Sequence, residues 1–208
     1  MTGAPPHPHS GSTRPKAPDD LYLTPPPWDI GRPQPAFQAL ADAGAIRGRV
    51  LDVGCGTGEH TLLAAGLGLD ATGLDLASTA LGAAERKARE RNRPARFLRN
   101  DARSLAELGE SFDTVLDCGL FHIFTGADRD AFVAGLRSVL ALGGRYLMLC
   151  FSDRQPADGW SRVHRVTRDE ITATFTAGWR IDSIEPDTID ITTDPDGIRA
   201  WLVTATRI

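Results

Sequence analysis

The sequence predicts an α/β fold built on a doubly wound, mostly parallel sheet, and three observations predict it. Short β-rich runs alternate with helical patterns from about residue 37 onward. One of these runs, Arg49 to Val53, leads into a Gly-rich turn and a helix. Another, Arg145 to Phe151, is apolar enough to lie in the middle of a sheet covered on both faces. At 208 residues the chain can bury one sizeable core and is short for two, so a single domain is expected.

Ten of the 14 prolines fall within the first 35 residues, and such a segment cannot bury enough apolar surface to order itself. Residues 1–19 are therefore expected to form a disordered tail. Over residues 20–45 the character changes: Tyr22, Leu23, Trp28, Ile30 and Phe37 punctuate the prolines and predict an arm that lies on the core or over a ligand. Residues 46–208 form the domain proper. A short helix from Phe37 to Asp42, stopped near Gly44, precedes it.

Strand Arg49–Val53 is followed by a helix over Glu59–Gly66 and a second strand over Asp70–Leu74. Ser78 has the chemistry to cap a helix reaching about Asn92. Strands over residues 95–99 and 114–117 flank a short helix over residues 104–108. Residues 128–140 are helical, with Phe132, Leu136, Val139 and Leu140 on one face and Gly143 and Gly144 to close it. Thr167 and Glu170 form a capping box for a further helix. The last strands, residues 179–185 and 200–207, are joined by a turn-rich stretch and predict a terminal hairpin.

A net charge of −4 offers no basic footprint for a polyanion, so nucleic acid is not an expected partner. No apolar run approaches the thickness of a bilayer and no secretory h-region is visible, so a cytoplasmic protein without membrane contact is expected. Cys55, Cys118 and Cys150 are odd in number, widely spaced and set in apolar surroundings, which suggests neither a disulfide framework nor a zinc site.

The strand, turn and helix around Gly54 invite a nucleotide-type ligand, and several cofactors compete at that level. Spacing separates them. Gly54, Gly56 and Gly58 are G-x-G-x-G, whereas the dinucleotide fingerprint needs its third Gly one residue later, where Glu59 stands. A pyrophosphate beside Asp52 and Glu59 would be repelled. S-adenosylmethionine carries no phosphate but a sulfonium and an ammonium, which acidic groups attract. Asp75 ends the second strand 21 residues after Gly54, where this architecture places the acid that accepts ribose hydroxyls. Asp101 lies at the end of the third strand and could bind an adenine amino group or simply cap the next helix.

Val50-Leu-Asp-Val-Gly-Cys-Gly-Thr-Gly58, Gly73-Leu-Asp75 and Asn100-Asp-Ala102 together resemble the first three motifs of class I methyltransferases, over about residues 37–208. The resemblance implies a Rossmann-like seven-stranded sheet of order 3-2-1-4-5-7-6 with the last strand antiparallel. It implies S-adenosyl-L-methionine as cofactor, S-adenosyl-L-homocysteine as product and no metal. By the same resemblance Gly54, Gly56 and Gly58 approach the methionine part, with Asp52 and Cys118 nearby. Asp75 approaches the ribose, and Leu76, Asp101 and Ala102 the adenine. Thr24 to Pro35, with Trp28-Asp-Ile-Gly31, is similar to the N-terminal run of thiopurine and halide/thiol methyltransferases, which places Trp28 near the sulfonium.

In this fold the acceptor pocket begins after the fourth strand. Gly119-Leu-Phe-His122 lacks the paired prolines found there in enzymes that methylate amino groups of DNA and protein. Leu120, Phe121, Ile123 and Phe124 instead predict an apolar wall for a small, aromatic or lipophilic acceptor. His122 and His164 are the candidate bases. Tyr22, Phe121, His122 and Trp160 are the candidate substrate contacts, Trp160 on the long loop of residues 152–166. No His-Asp/Glu dyad is evident. A thiol is partly ionised at neutral pH, so sulfur is the slightly favoured acceptor. Transfer to oxygen or nitrogen of a phenol, quinol or heteroaromatic is the alternative, and a non-catalytic cofactor-binding protein a second. The enzyme is expected as a monomer or weak homodimer.

Overall fold

The computed structural model describes residues 17–156 and 163–208. The tail expected over residues 1–19 lies outside it up to residue 16, as does Trp160. Seven strands form one sheet: β1 (Arg49–Val53), β2 (Asp70–Asp75), β3 (Arg96–Arg99), β4 (Phe112–Cys118), β5 (Leu140–Phe151), β6 (Trp179–Ile191) and β7 (Asp194–Arg207). Their order is β3-β2-β1-β4-β5-β7-β6, as the motif series implies. β1 to β5 pair in parallel, and β7 runs antiparallel to β5 and β6. The carboxyl ends of β1, β2 and β4 therefore open along one edge.

Among the described residues, five α-helices flank the sheet: α1 (Pro35–Asp42), α2 (Glu59–Gly66), α3 (Ser78–Glu90), α4 (Gly126–Val139) and α5 (Arg168–Thr174). On one face Leu51, Phe112, Phe132, Leu136, Tyr146, Phe175 and Trp179 are buried under α4 and α5. On the other, Phe37, Val50, Ala64, Leu116 and Leu147 are buried under α1 and α2. β5 meets both clusters, with Tyr146 to Cys150 completely buried, which is why its sequence shows no polar alternation.

Three local expectations change. α3 begins at Ser78 rather than being capped by it. The carboxylate of Asp19, on a 3-10 turn over Pro18–Tyr22, accepts the N–H of Thr79 at 2.7 Å. A cap supplied from 60 residues away leaves no local signature. α4 passes directly into β5 at Leu140, so Gly143 and Gly144 lie within that strand's first residues instead of ending the helix. The terminal hairpin is also much longer than its β-rich centre suggested, turning tightly at residues 192 and 193.

The arm follows the carboxyl edge of the sheet. From the 3-10 turn it crosses Gly56, where the Tyr22 hydroxyl stands 3.0 Å from the position a Cβ would take. Further on, Thr192 donates its N–H to the Pro27 carbonyl at 2.8 Å, and Arg32 pairs with Asp190 at 2.8 Å. Gln34, 2% exposed, bridges the backbone of Asp190 through both ends of its amide, at 2.8 and 2.9 Å.

Candidate active site

The Gly-rich turn joins β1 to α2 in a left-handed conformation: φ is +68° at Gly54, +52° at Gly56 and +86° at Gly58. A side chain is strained in that region, and at Gly58 a Cβ would come within 2.7 Å of the Ala84 Cβ. Glycine here lets α3 pack against the turn. At Gly54 the same space is filled by Leu120, 3.1 Å from where a Cβ would sit, so the ends of β1 and β4 meet directly.

Asp75 faces this turn from the end of β2. One carboxylate oxygen accepts the N–H of Gly56 and the other that of Ala77, both at 2.8 Å. A carboxylate offers about four acceptor positions, so two remain, and the residue is partly exposed. Leu76 beside it is 38% exposed and Ala102 is buried. This arrangement fits a ligand carrying two vicinal hydroxyls and a flat ring: backbone without Cβ atoms, a fixed acid at the mouth, and an open apolar side chain next to it.

Asp52 stands beneath the turn. It is 2% exposed, and its carboxylate accepts both the N–H and the hydroxyl of Thr61, at 2.9 and 2.7 Å. Burial pushes its pKa up to about 7 against those two hydrogen bonds, with the charges of Asp117 and Asp75 adding to the rise. Through these bonds it supports the start of α2.

Glu59 is also not the free carboxylate that its position after Gly58 suggested. Burial favours its neutral form, but Arg91 and Lys87 hold the pKa below the usual range, with contacts of 2.7 to 2.9 Å. Lys87 continues to the Thr57 hydroxyl at 2.7 Å, and Thr57 donates to Asp29 of the arm at 2.9 Å. Asp29 thus fastens the arm to the turn, a role hidden in the Trp28-Asp29 pair. Trp28 itself is 42% exposed and its indole acts on the Tyr22 hydroxyl in favour of the ionised form. Burial and the nearby Asp75 charge push Tyr22 well above the usual phenol range.

Asp101 follows its capping alternative. Its carboxylate accepts the N–H of Arg103 and holds the Arg103 guanidinium at 2.6 to 3.1 Å. Arg103, ahead of any other cause, keeps its pKa below the usual range. Side-chain atoms engaged in this way are less available to an adenine.

After β4 the acceptor segment divides. Phe121 is completely buried, stacked on Phe175 at 5.7 Å with the Arg129 guanidinium 4.7 Å from its ring, so it belongs to the core and not to a pocket wall. Phe124 is 8% exposed. Ile123, at 60%, faces outward, and the partly buried Leu120 packs against the core and over Gly54. Cys118 is partly buried and free; burial, then the Asp117 charge, pushes its thiol well above the ordinary value.

Asp117, inconspicuous in the sequence because it reads as one more strand residue, organises this segment. It is completely buried, accepts the N–H groups of Leu120 and Phe121 at 2.9 and 3.3 Å, and takes the Tyr146 hydroxyl at 2.6 Å. Burial lifts its pKa to about 6 against those bonds.

His122 is 5% exposed and stacks on Phe151 at 4.2 Å, accepting that residue's N–H at Nδ1. Burial, with some help from His164, drives its pKa down to about 4. A histidine so placed is a weak base. His164 differs: its Nε2 lies 2.7 Å from Glu170 Oε1, and its side chain is 38% exposed. The dyad that is not evident in the sequence is therefore present. Six residues separate its members, and only the fold of the chain after β5 brings them together.

Among the described residues, no group of three His, Cys, Asp or Glu side chains could hold a metal ion, and no helix is long and apolar enough to cross a membrane.

Comparison with known proteins agrees with this geometry. The profile of a methyltransferase domain family matches residues 50–144. The chain is 32% identical, over 181 residues, to a 2-heptyl-1-hydroxyquinolin-4(1H)-one methyltransferase of Mycobacteroides abscessus, covering 84% of this chain and 77% of the relative. A structure solved in work on the conversion of a disulfide bond into a thioacetal group during echinomycin biosynthesis is 38% identical, with a TM-score of 0.80 over 88% of this chain and 85% of that one. A magnesium protoporphyrin IX methyltransferase from Synechocystis PCC 6803 shares the fold, with a TM-score of 0.65 at 22% identity over 83% of this chain and 76% of the other. The Gly-rich turn, the acid that ends β2, the strand order and these relatives converge: the chain belongs to the class I S-adenosylmethionine-dependent methyltransferases.

Proposed function

We propose that this enzyme methylates a small, apolar, ring-bearing molecule, with a thiol as the favoured nucleophile. The observation that carries the reading is the apolar rim on the carboxyl edge. Leu21, Leu23, Trp28, Leu76 and Ile123 are all exposed there or on the arm beside it, while Asp19 and Lys87 nearby are engaged by Thr79 and Glu59. Such a rim suits a lipophilic ring. Similarity to a protein studied in disulfide-to-thioacetal conversion supports sulfur as the acceptor.

In this reading Gly54, Gly56 and Gly58 let the cofactor's methionine part approach the backbone, over the support given by Asp52. Asp75 accepts the ribose hydroxyls, and Leu76 and Ala102 pack against the adenine. Asp101 meets the adenine amino group only by turning from Arg103. Trp28 offers an aromatic face to the sulfonium, and Tyr22 covers the turn. The cofactor supplies an electrophilic methyl group whose leaving partner is a neutral thioether. The protein's part is to align the acceptor behind that methyl, using Leu120 and Ile123, and to exclude water. Cytoplasmic location and a monomeric or weakly dimeric state go with this reading, as does the kinship with thiol and thiopurine methyltransferases suggested by the arm.

A second reading, transfer to a ring hydroxyl, is favoured by the His164–Glu170 pair and by the hydroxyquinolone relative. Incubation with methyl-labelled S-adenosylmethionine and panels of aromatic thiols, aromatic hydroxyls, N-hydroxy heteroaromatics and amines separates the two. Label should enter thiols first. Label confined to hydroxyls transfers the proposal to oxygen, and cofactor binding with no labelled product in any panel would mark a binding protein.

A further inference from the structure

Between β5 and α5 the chain returns to the sheet at Val166, whose carbonyl accepts the N–H of Asp153 at 3.0 Å and the Trp201 indole N–H at 3.0 Å. Val166 in turn donates its N–H to Phe151 at 2.9 Å. Phe151 is the residue against which His122 stacks, and the Cε1 of His122 lies 3.7 Å from the position of a Cβ on Gly119. His164 therefore lies two residues before the point at which the chain rejoins the end of β5, close enough to His122 for its charge to bear on that ring.

Its ring is held from one side. Glu170 Oε1 takes His164 Nε2 at 2.7 Å and Arg129 Nη1 at 3.2 Å, and Glu170 Oε2 accepts the N–H of Thr167 at 2.9 Å. Glu170 is the third residue of its helix and part of the capping box, so its χ angles are fixed by the fold. Arg129 is fixed as well: its Nε donates to the Phe124 carbonyl at 2.9 Å and its plane covers Phe121. Burial would raise the Glu170 pKa, but the Thr167 N–H, His164 and Arg129 bring it to about 2, so the group is a permanent anion near neutral pH. An anionic acceptor at Nε2 requires the proton on that nitrogen and leaves the lone pair on Nδ1.

We propose that Glu170, tethered by Arg129 and Thr167, is a positioning residue that locks His164 in its Nε2–H tautomer, so that Nδ1 receives the proton of the methyl acceptor. This rests on the methyl-transfer reading above. The acceptor X–H gives its proton to Nδ1 and its freed electron pair forms the X–CH3 bond. The carbon–sulfur bond to the donor breaks with its pair left on sulfur, and the imidazolium later releases its proton to water. Among the described residues, the titratable groups recorded against His164 are Glu170 of α5 and His122 after β4, with Arg129 of α4 reaching it through Glu170.

The lock is tested without any acceptor. In 15N-histidine NMR above the imidazole's titration, wild-type His164 should show a protonated Nε2 and a bare Nδ1, and Glu170→Gln, which keeps the capping box, should show mixed tautomers. A mixed population in the wild type, or an unchanged one in Glu170→Gln, overturns the positioning role. The proton role is tested with His164→Gln, benzyl mercaptan and 1-naphthol. Transfer to the thiol should fall at least tenfold at pH 6 and by less than about threefold at about pH 10.5, where the thiol is largely ionised. Transfer to the naphthol should fall roughly 100-fold at neutral pH. Unchanged rates across that range overturn the base assignment. No transfer by the wild type to these two acceptors or to any of the acceptor panels above overturns the methyl-transfer reading instead, while the NMR result stands on its own.

Discussion

The carboxylate of Asp75 holds the backbone N–H of Gly56 at 2.8 Å, so the acid that ends β2 also shapes the turn that follows β1. Replacing Asp75 by Asn keeps one acceptor for Gly56 and removes the charge meant for the ribose. Hydrogen bonds to a charged group are worth about 1.5–3 kcal/mol. S-adenosylhomocysteine should bind roughly 10- to 100-fold more weakly in calorimetry, with only a small change in Tm. Unchanged affinity would place the ribose elsewhere.

Gly58→Ala should unfold more easily. Its φ of +86° is strained for alanine, and the new methyl would meet Ala84 at 2.7 Å. A loss of roughly 2–3 kcal/mol is expected in urea denaturation, and a loss under about 0.5 kcal/mol would mean that α3 can retreat at little cost.

Stability should depend on pH through Asp52. Its pKa in the folded state is raised to about 7 from an ordinary 3.8, so between those values the folded protein holds a proton that the unfolded chain has released. That contribution is complete below about pH 4 and is lost as the pH rises toward 7. Asp52→Asn should flatten the fall of unfolding free energy over this window by up to about 1.4 kcal/mol per pH unit. Parallel wild-type and variant curves would mean that Asp52 is ionised throughout.

Gln34→Ala removes both bonds to the backbone of Asp190. An unpaired buried polar group costs about 1–3 kcal/mol, most of it felt by the arm. Limited proteolysis should cut residues 18–34 faster in the variant while the sheet stays intact. Equal cutting would show that Arg32, Asp29 and the Pro27–Thr192 bond suffice.

Much of this was readable from the sequence because its signals are local. β1 to β5 follow from apolar runs, the turn at Gly54 from its spacing, and the α5 capping box from Thr167 and Glu170. What escaped depends on distant partners. Glu59 is written as a carboxylate beside a turn, and only the packing of α3 places Lys87 and Arg91 around it. Phe121 and Phe124 look alike as wall residues, yet the side on which they leave the 3-10 turn at Phe121–Ile123 sends both inward and Ile123 outward. Asp117 reads as an ordinary strand-end acid until Tyr146 arrives opposite it from β5.

The clasp between the arm and the terminal hairpin has a consequence for the order of assembly. Gln34 and Arg32 find their partners at Asp190, more than 150 residues later in the chain. Closing so long a loop is entropically slow. While the chain is being synthesised, Asp29 and Asp19 can meet Thr57 and Thr79 early, but the clasp at Gln34 and Arg32 must wait for the hairpin to leave the ribosome. A nascent chain would therefore hold the arm by one end only, and gain the second fastening once the hairpin has been made.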